Sequence, residues 1–158
     1  MILIAYDGSV DAQAAIDRSG ELLKGEPATV LAVWERFADI IARSGGGFSA
    51  GDIDYDALDQ SAENQAHQLA QEGAERAQRA GLTAEARAAD REQSIPATIL
   101  TQAEAVEASA IVMGTRGLTG LKSLVLGSVS HGVLQHADRP VLIVPSPAVA
   151  AERAAHRP

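Results

Sequence analysis

Three glycines and a serine are spaced in a way that suits the binding of a negatively charged group. Two residues separate Gly114 from Gly117, nine separate Gly117 from Gly127, and Ser128 follows directly. Glycine lets the main chain pass close to a ligand because no Cβ stands in the way. Each glycine alone would be an ordinary turn residue. Their combined spacing predicts a loop that encloses a phosphate.

The residues after this loop add hydrogen-bond donors. Residues 128–137 have helical apolar spacing, which makes Ser128, Val129 and Ser130 the first helical turn. The N–H groups of a first turn have no partner within the helix and lie at its positive end. The two serine hydroxyls are further donors, and Arg116 brings a positive charge. These features predict an anion site, although Arg116 could equally be a solvated loop cation.

Short apolar runs alternate with helical patterns along the chain. The runs cover residues 2–6, 29–34, 82–89, 110–113 and 141–144. This alternation predicts a parallel sheet with right-handed crossovers, and ligands bind such sheets at the carboxyl ends of the strands. Asp7 follows the first strand, and 113–117 end the fourth. Asp7 is therefore a candidate for a ribose hydroxyl, with a turn or capping acid as the alternative.

Several classes of protein are excluded by composition and motif. The net charge of −8 argues against a general nucleic-acid binder, and the absence of cysteine excludes thiolate metal sites and cysteine catalysis. The turn after the first strand lacks the dinucleotide Gly-x-Gly-x-x-Gly pattern, no Gly-Lys-Ser or Gly-Lys-Thr of a P-loop occurs, and Ser130 does not lie in a Gly-x-Ser-x-Gly nucleophile motif. No apolar run is long enough to cross a bilayer, and the start is typical of a strand rather than a leader. We expect a cytoplasmic protein.

One domain is predicted over residues 1–145, with no internal repeat. Residues 35–54 contain the glycine-rich stretch 44–51 and are predicted to form a long mobile loop. Residues 55–80 carry the longest helical pattern. The tail, residues 146–158, is predicted to be frayed.

The glycine spacing and its flanks resemble the universal stress protein family. The likeness includes the strand before Gly114, the segment 124–130, the run from Arg139 to Pro145 and the start at 4–9. It extends over residues 1–145. It implies a single-domain, Rossmann-like α/β three-layer sandwich with a five-stranded parallel sheet in the order 3-2-1-4-5.

The resemblance also implies a function. It points to the ATP-binding subclass, a nucleotide-dependent regulator of the stress response with at most slow ATPase activity. ATP would be accompanied by Mg²⁺ or Mn²⁺, because the triphosphate charge needs neutralising. A homodimer would form through the last strand, Val141–Val144, with no nucleic-acid or membrane partner. No residue is predicted to be catalytic or to bind a metal itself. The nucleotide-binding positions that the resemblance carries over are Ala5, Tyr6, Asp7, Val33, Met113, Gly114, Arg116, Gly117, Gly127, Ser128, Val129 and Ser130.

Two other functions remain open at the level of sequence. One is a slow ATPase or nucleotidyl-transfer enzyme, although phosphoryl transfer needs a positioned nucleophile and no convincing base stands beside the loop. The other is a dimeric scaffold that holds AMP or a cyclic nucleotide. The glycine loop would recognise phosphate in either case, so the sequence does not separate ATP from its relatives.

Overall fold

The computed structural model describes residues 1–45, 53–117 and 126–155. Five strands form one parallel sheet in the order β3-β2-β1-β4-β5, which confirms the predicted fold. The elements in chain order are β1 (Ile2–Ala5), α1 (Val10–Leu22), β2 (Pro27–Trp34), α2 (Phe37–Arg43), α3 (Tyr55–Arg79), β3 (Thr83–Asp90), α4 (Ile95–Ala105), β4 (Ala110–Gly114), α5 (Ser128–His136), β5 (Val141–Val144) and α6 (Pro147–Ala155).

Helices cover both faces of the sheet. Side chains alternate along a strand, so Ile4 of β1 packs with α1 and α3, while its neighbour Leu3 packs with α4 and α5. Both side chains are fully buried. Burial on both faces explains why the central strands are continuously apolar. Within the described ranges, no helix combines the length and apolar character needed to cross a membrane.

Serine side chains fix where two of the helices begin. The Ser9 hydroxyl accepts a hydrogen bond from the amide of Ala12 at 3.2 Å at the start of α1. The Ser94 hydroxyl does the same for Ala97 at the start of α4. A serine at this position favours the helix start because its side chain satisfies an amide that has no partner in the first turn. Strand β3 lies at the sheet edge, as its polar sequence predicts.

The structure corrects part of the predicted 35–54 loop, because α2 occupies Phe37–Arg43. The Phe37 ring lies 5.9 Å from the ring of Tyr55, measured between centroids. Its amide donates to Asp59 Oδ1 at 2.7 Å. These contacts with α3 hold one short helix at the start of the segment. Residues 46–52 of the predicted loop lie outside the described residues.

The predicted frayed tail is also corrected, because residues 147–155 form α6. Val149 is 5% exposed, so the helix packs onto the domain rather than extending from it. The Ser146 hydroxyl accepts from the amide of Val149 at 3.4 Å and caps the helix. Alanine has the highest helix propensity, which favours helix here as soon as one apolar side chain finds a place in the core. Residues 156–158 lie outside the described residues.

Candidate functional site

The end of β4 and the start of α5 meet at the carboxyl edge of the sheet. The amide of Gly127 donates to the carbonyl oxygen of Thr115 at 2.8 Å. The hydroxyl of Ser130 lies 2.9 Å from the carbonyl oxygen of Gly114. The two halves of the glycine pattern are therefore adjacent, although the intervening residues 118–125 lie outside the described part. We call residues 114–117 together with 127–130 the glycine site.

Helix α5 begins in a way that leaves room for an external acceptor. Its N-cap is Gly127, which has no side chain to bond the first amides. The first bond within the helix runs from the amide of His131 to the carbonyl of Gly127 at 2.9 Å. The amides of Ser128, Val129 and Ser130 therefore have no carbonyl four residues earlier within the helix. Three donors and the positive end of a helix dipole are placed next to the 114–117 turn.

The Ser130 hydroxyl has a structural position. We predicted it as a donor to a ligand, but Ser130 is only 3% exposed. Its oxygen lies within hydrogen-bonding distance of the carbonyl oxygens of Gly114 and Thr115. The single hydroxyl proton is therefore donated to a carbonyl oxygen at the end of β4, because buried main-chain carbonyls need hydrogen-bond partners. The Ser128 side chain, in contrast, is exposed.

Gly114 is needed because helix α1 packs directly against it. A Cβ on Gly114 would lie 2.7 Å from the carbonyl carbon of Asp11 and 2.8 Å from the amide nitrogen of Ala12. Gly114 does not have a positive φ angle, so the requirement comes from close approach. We had predicted that Gly114 allows a ligand to approach the main chain, but the group that approaches it is helix α1.

Gly117 and Gly127 are also close to neighbouring atoms, but an added Cβ would be easier to accommodate at these two positions. A Cβ on Gly117 would lie 2.5 Å from Asp7 Oδ2, the tip of a side chain. A Cβ on Gly127 would lie 3.3 Å from the carbonyl oxygen of Thr115. Neither glycine has a positive φ. The absence of both side chains lets the first strand end, the 114–117 turn and helix α5 approach one another.

Asp11 is a residue at this site that the sequence reasoning missed. It is 7% exposed, and its carboxylate accepts hydrogen bonds from the Thr115 hydroxyl and, at 3.2 Å, from the Arg116 amide. It thereby fastens the first turn of α1 to the turn after β4. One signal was available: Asp11 is an acid on the same face of α1 as the buried Ala12 and Ala15. A buried carboxylate needs partners of this kind.

Asp7 has two roles in the geometry. Its Oδ1 accepts from the amide of Ser9 at 3.0 Å, so it closes the turn that precedes α1. Its Oδ2 lies beside Gly117, within reach of the glycine site. The turn-acid interpretation is therefore correct for one oxygen, while the other is at the edge where β1 and β4 end.

The predicted nucleotide contacts Ala5, Tyr6, Val33 and Met113 lie on two faces of the sheet. Ala5, Val33 and Met113 pack with the core cluster beneath α4 and α5. Tyr6 packs on the opposite face against α3, where a Cβ on Gly73 would lie 2.8 Å from its ring. Burial raises the pKa of the Tyr6 phenol. Three of these four side chains therefore share one face of the sheet and Tyr6 lies on the other, and both Met113 and Tyr6 are buried.

Arg116 belongs to the glycine site and contacts α6. Its guanidinium is 3.7 Å from the carboxylate of Glu152, and its side chain is 14% exposed. The interpretation of Arg116 as a solvated loop cation is therefore wrong. Its amide is bonded to Asp11, so the guanidinium is the part of Arg116 that could face an anion.

Comparison with known proteins agrees with this fold. The sequence profile of the universal stress protein family matches residues 1–145. Universal stress protein YxiE of Bacillus subtilis is 33% identical over 145 residues, which cover 90% of this chain and 97% of that protein. The chain belongs to the universal stress protein family.

Solved structures share the fold at lower identity. The hypothetical protein MJ0577 superposes with a TM-score of 0.73 at 23% identity, covering 91% of this chain and 94% of that one. The universal stress protein of Archaeoglobus fulgidus in complex with dAMP superposes with a TM-score of 0.58 at 21% identity, covering 90% and 95%. At these identities the likeness concerns the fold.

Proposed function

We propose that this universal stress protein binds ATP at the glycine site and acts as a nucleotide-dependent regulator of the stress response. The observation that carries the proposal is the juxtaposition of the 114–117 turn with the uncapped start of α5. Main-chain amides at a helix start bind phosphate without a basic surface, which agrees with a chain of net charge −8. The complex of the Archaeoglobus fulgidus relative with dAMP supports an adenine nucleotide as the ligand.

Each part of the nucleotide has a candidate partner. The amides of Ser128 and Val129 would bind phosphate oxygens, since both lie in the first turn of α5. Asp7 Oδ2 would accept a hydrogen bond from a ribose hydroxyl. The adenine would lie beside the half-buried side chain of Val33 near the end of β2, where its contacts would be apolar.

A divalent cation fits this site only as a companion of the phosphates. Among the described residues, no three His, Asp or Glu side chains are grouped to hold a metal. Mg²⁺ commonly binds through substrate phosphates and water, with one or two carboxylates. Asp7 is the carboxylate placed to contribute. When bound, the cation would neutralise phosphate charge.

We propose a regulator rather than an enzyme because the nearby carboxylates hold the main chain. Asp7 accepts from the Ser9 amide and Asp11 from the Arg116 amide. An acid occupied in this way is poorly suited to activate water. The alternative, a slow ATPase, predicts steady release of phosphate from ATP and Mg²⁺ by the pure protein, and this release would be lost in a Gly117→Ala variant.

A second candidate ligand is AMP or a related monophosphate. The dAMP complex of a relative favours it, and so does the ion pair that occupies Arg116. A site with a partly neutralised cation gains less from each added phosphate. Mass spectrometry of the ligand released from purified protein would distinguish ATP from AMP.

We further propose a homodimer through β5. This strand pairs with β4 on one side and forms an edge of the sheet on the other. The carbonyls of Pro140 and Val144 face β4, where they accept from Ile111 and Thr115. By the alternation of a strand, the polar groups of Val141 and Ile143 face outward, where a second β5 could pair with them.

Calorimetric titration with ATP, AMP and adenosine tests the proposed ligand. We expect both nucleotides to bind at micromolar to low millimolar concentration and adenosine to bind more weakly, because the amides of the glycine site recognise phosphate. Equal affinity for adenosine and ATP would contradict a phosphate site. The matched variants are Gly117→Ala, at the site, and Gln71→Ala, on the exposed face of α3.

A further inference from the structure

The ion pair between Arg116 and Glu152 connects the glycine site to the last helix. Arg116 is in the turn after β4, and Glu152 is in α6. The guanidinium and carboxylate are 3.7 Å apart. Glu152 therefore puts a negative charge next to the Arg116 guanidinium, which belongs to the glycine site.

The attachment of α6 to the domain is slight. Val149 is its buried side chain within the described residues, and Ser146 caps its first turn. Glu152 is itself 40% exposed. A helix with one buried side chain can shift more readily than a helix with a full apolar face, and α6 lies outside the sheet.

The electrostatic consequence depends on the charge of the ligand. Each added phosphate brings further negative charge towards a cation that Glu152 already neutralises in part. A triphosphate is opposed more strongly than a monophosphate, and an uncharged nucleoside is hardly affected. The carboxylate therefore discriminates between ligands by the number of phosphates that they carry.

We propose that Glu152 is a specificity-determining residue, which lowers the preference of the glycine site for ATP over AMP by pairing with Arg116. The inference rests on the proposed function, because it concerns the ligand of that site. It assigns a role to a helix that lies beyond the family match at residues 1–145.

The test is Glu152→Gln in the full-length chain, with calorimetric titration of ATP, AMP and adenosine. We expect ATP affinity to rise about fivefold, AMP affinity less than about twofold, and adenosine affinity to stay unchanged. The gain should shrink at high salt, because a partly exposed pair is screened. The matched control is Glu104→Gln. Glu104 is an exposed acid near the end of α4, at the amino ends of the strands and away from the glycine site.

A double-mutant cycle with Arg116→Gln separates the ion pair from overall charge. In that background, Glu152→Gln should no longer change the ratio of ATP to AMP affinity. An equal change with and without Arg116, or an equal change in Glu104→Gln, would overturn the inference. Wild-type protein that binds ATP, together with an unchanged ratio in Glu152→Gln, would reject the inference alone. Failure of the wild-type protein to bind any nucleotide would reject the proposed function and the inference with it.

Discussion

The amide of Gly127 donates to the carbonyl oxygen of Thr115 across 2.8 Å, and this bond closes the main chain between the end of β4 and the start of α5. It brings the donors of a helix start next to a tight turn. Neither element alone would form an anion site.

Alanine substitutions at Gly114 and Gly117 are expected to differ in their effect on the stability of the fold. Gly114→Ala should lower the free energy of unfolding by about 1–3 kcal/mol, because its Cβ meets the main chain of α1 at 2.7 Å. Gly117→Ala should cost less than about 1 kcal/mol, because its Cβ meets the tip of the Asp7 side chain, which can rotate. Urea unfolding measures both. Equal destabilisation by the two variants would show that our assignment of their neighbours is wrong.

ATP affinity should show the opposite order, with the larger loss in Gly117→Ala. Gly117→Ala displaces Asp7 and narrows the glycine site, so we expect ATP affinity to fall about tenfold or more in a folded protein. Calorimetry below the unfolding temperature gives this value. If folded Gly117→Ala binds ATP like the wild type, the 114–117 turn does not contact the nucleotide.

Asp11 should stabilise the fold through its buried hydrogen bonds to Thr115 and Arg116. Asp11→Ala leaves the Thr115 hydroxyl and the Arg116 amide without this acceptor, so stability should fall by about 1–3 kcal/mol. Asp17→Ala is the control on the same helix. Its carboxylate pairs with Arg76 at the surface, and its loss should cost less than about 1 kcal/mol. Equal losses would mean that the Asp11 bonds contribute little.

Tyr6 was predicted as a nucleotide contact, but its side chain lies in the core beneath α3. Tyr6→Phe should therefore leave ATP affinity within about twofold of wild type. A tenfold loss of ATP affinity in Tyr6→Phe would show that the Tyr6 hydroxyl contacts the nucleotide.

Tyr6 should instead affect stability at alkaline pH. Burial raises the pKa of its phenol in the folded state. Below about pH 10 the phenol is neutral in both states and its contribution is intact; at higher pH the unfolded state ionises first, so stability is lost as pH rises. Urea unfolding at about pH 8 and about pH 10.5 should show a smaller loss in Tyr6→Phe than in wild type, with Tyr55→Phe as control.

The dimer proposal predicts that Val141→Pro gives a monomer. The substitution removes an amide that faces away from β4, so pairing within the chain is kept while pairing with a second β5 is blocked. Leu142→Ala is the control, because it removes apolar volume but leaves the outward amides. Light scattering after gel filtration gives the mass. A Val141→Pro variant that stays dimeric would exclude the β5 edge as the interface.

A parallel sheet could be predicted from periodicity because the central strands are buried on both faces and the helices repeat small apolar residues, whereas the strand order was implied by the family resemblance. Helix caps at Ser9 and Ser94 were likewise local signals. Helix α6 could not be predicted, since its one buried side chain, Val149, is buried by the tertiary fold rather than by a local pattern. The same holds for α2, whose Phe37 depends on Tyr55 across residues that form no regular pattern.

The candidate site was predicted in position but not in detail. The spacing of Gly114, Gly117 and Gly127 was visible, whereas the reason for Gly114 depends on α1, a hundred residues earlier in the chain. Asp11 resembled an ordinary first-turn acid until its bond to Thr115 was seen. Contacts of this range are set by the tertiary fold, which local spacing does not encode.

The most direct test follows main-chain amides by ¹⁵N NMR during titration with ATP. We expect the largest shifts at Gly117, Ser128 and Val129, with little change at Gln71 on the exposed face of α3. Saturating binding with this pattern would establish the glycine site as the phosphate site. No shifts at millimolar ATP, or saturating shifts confined to residues away from the 114–117 turn and the start of α5, would contradict it.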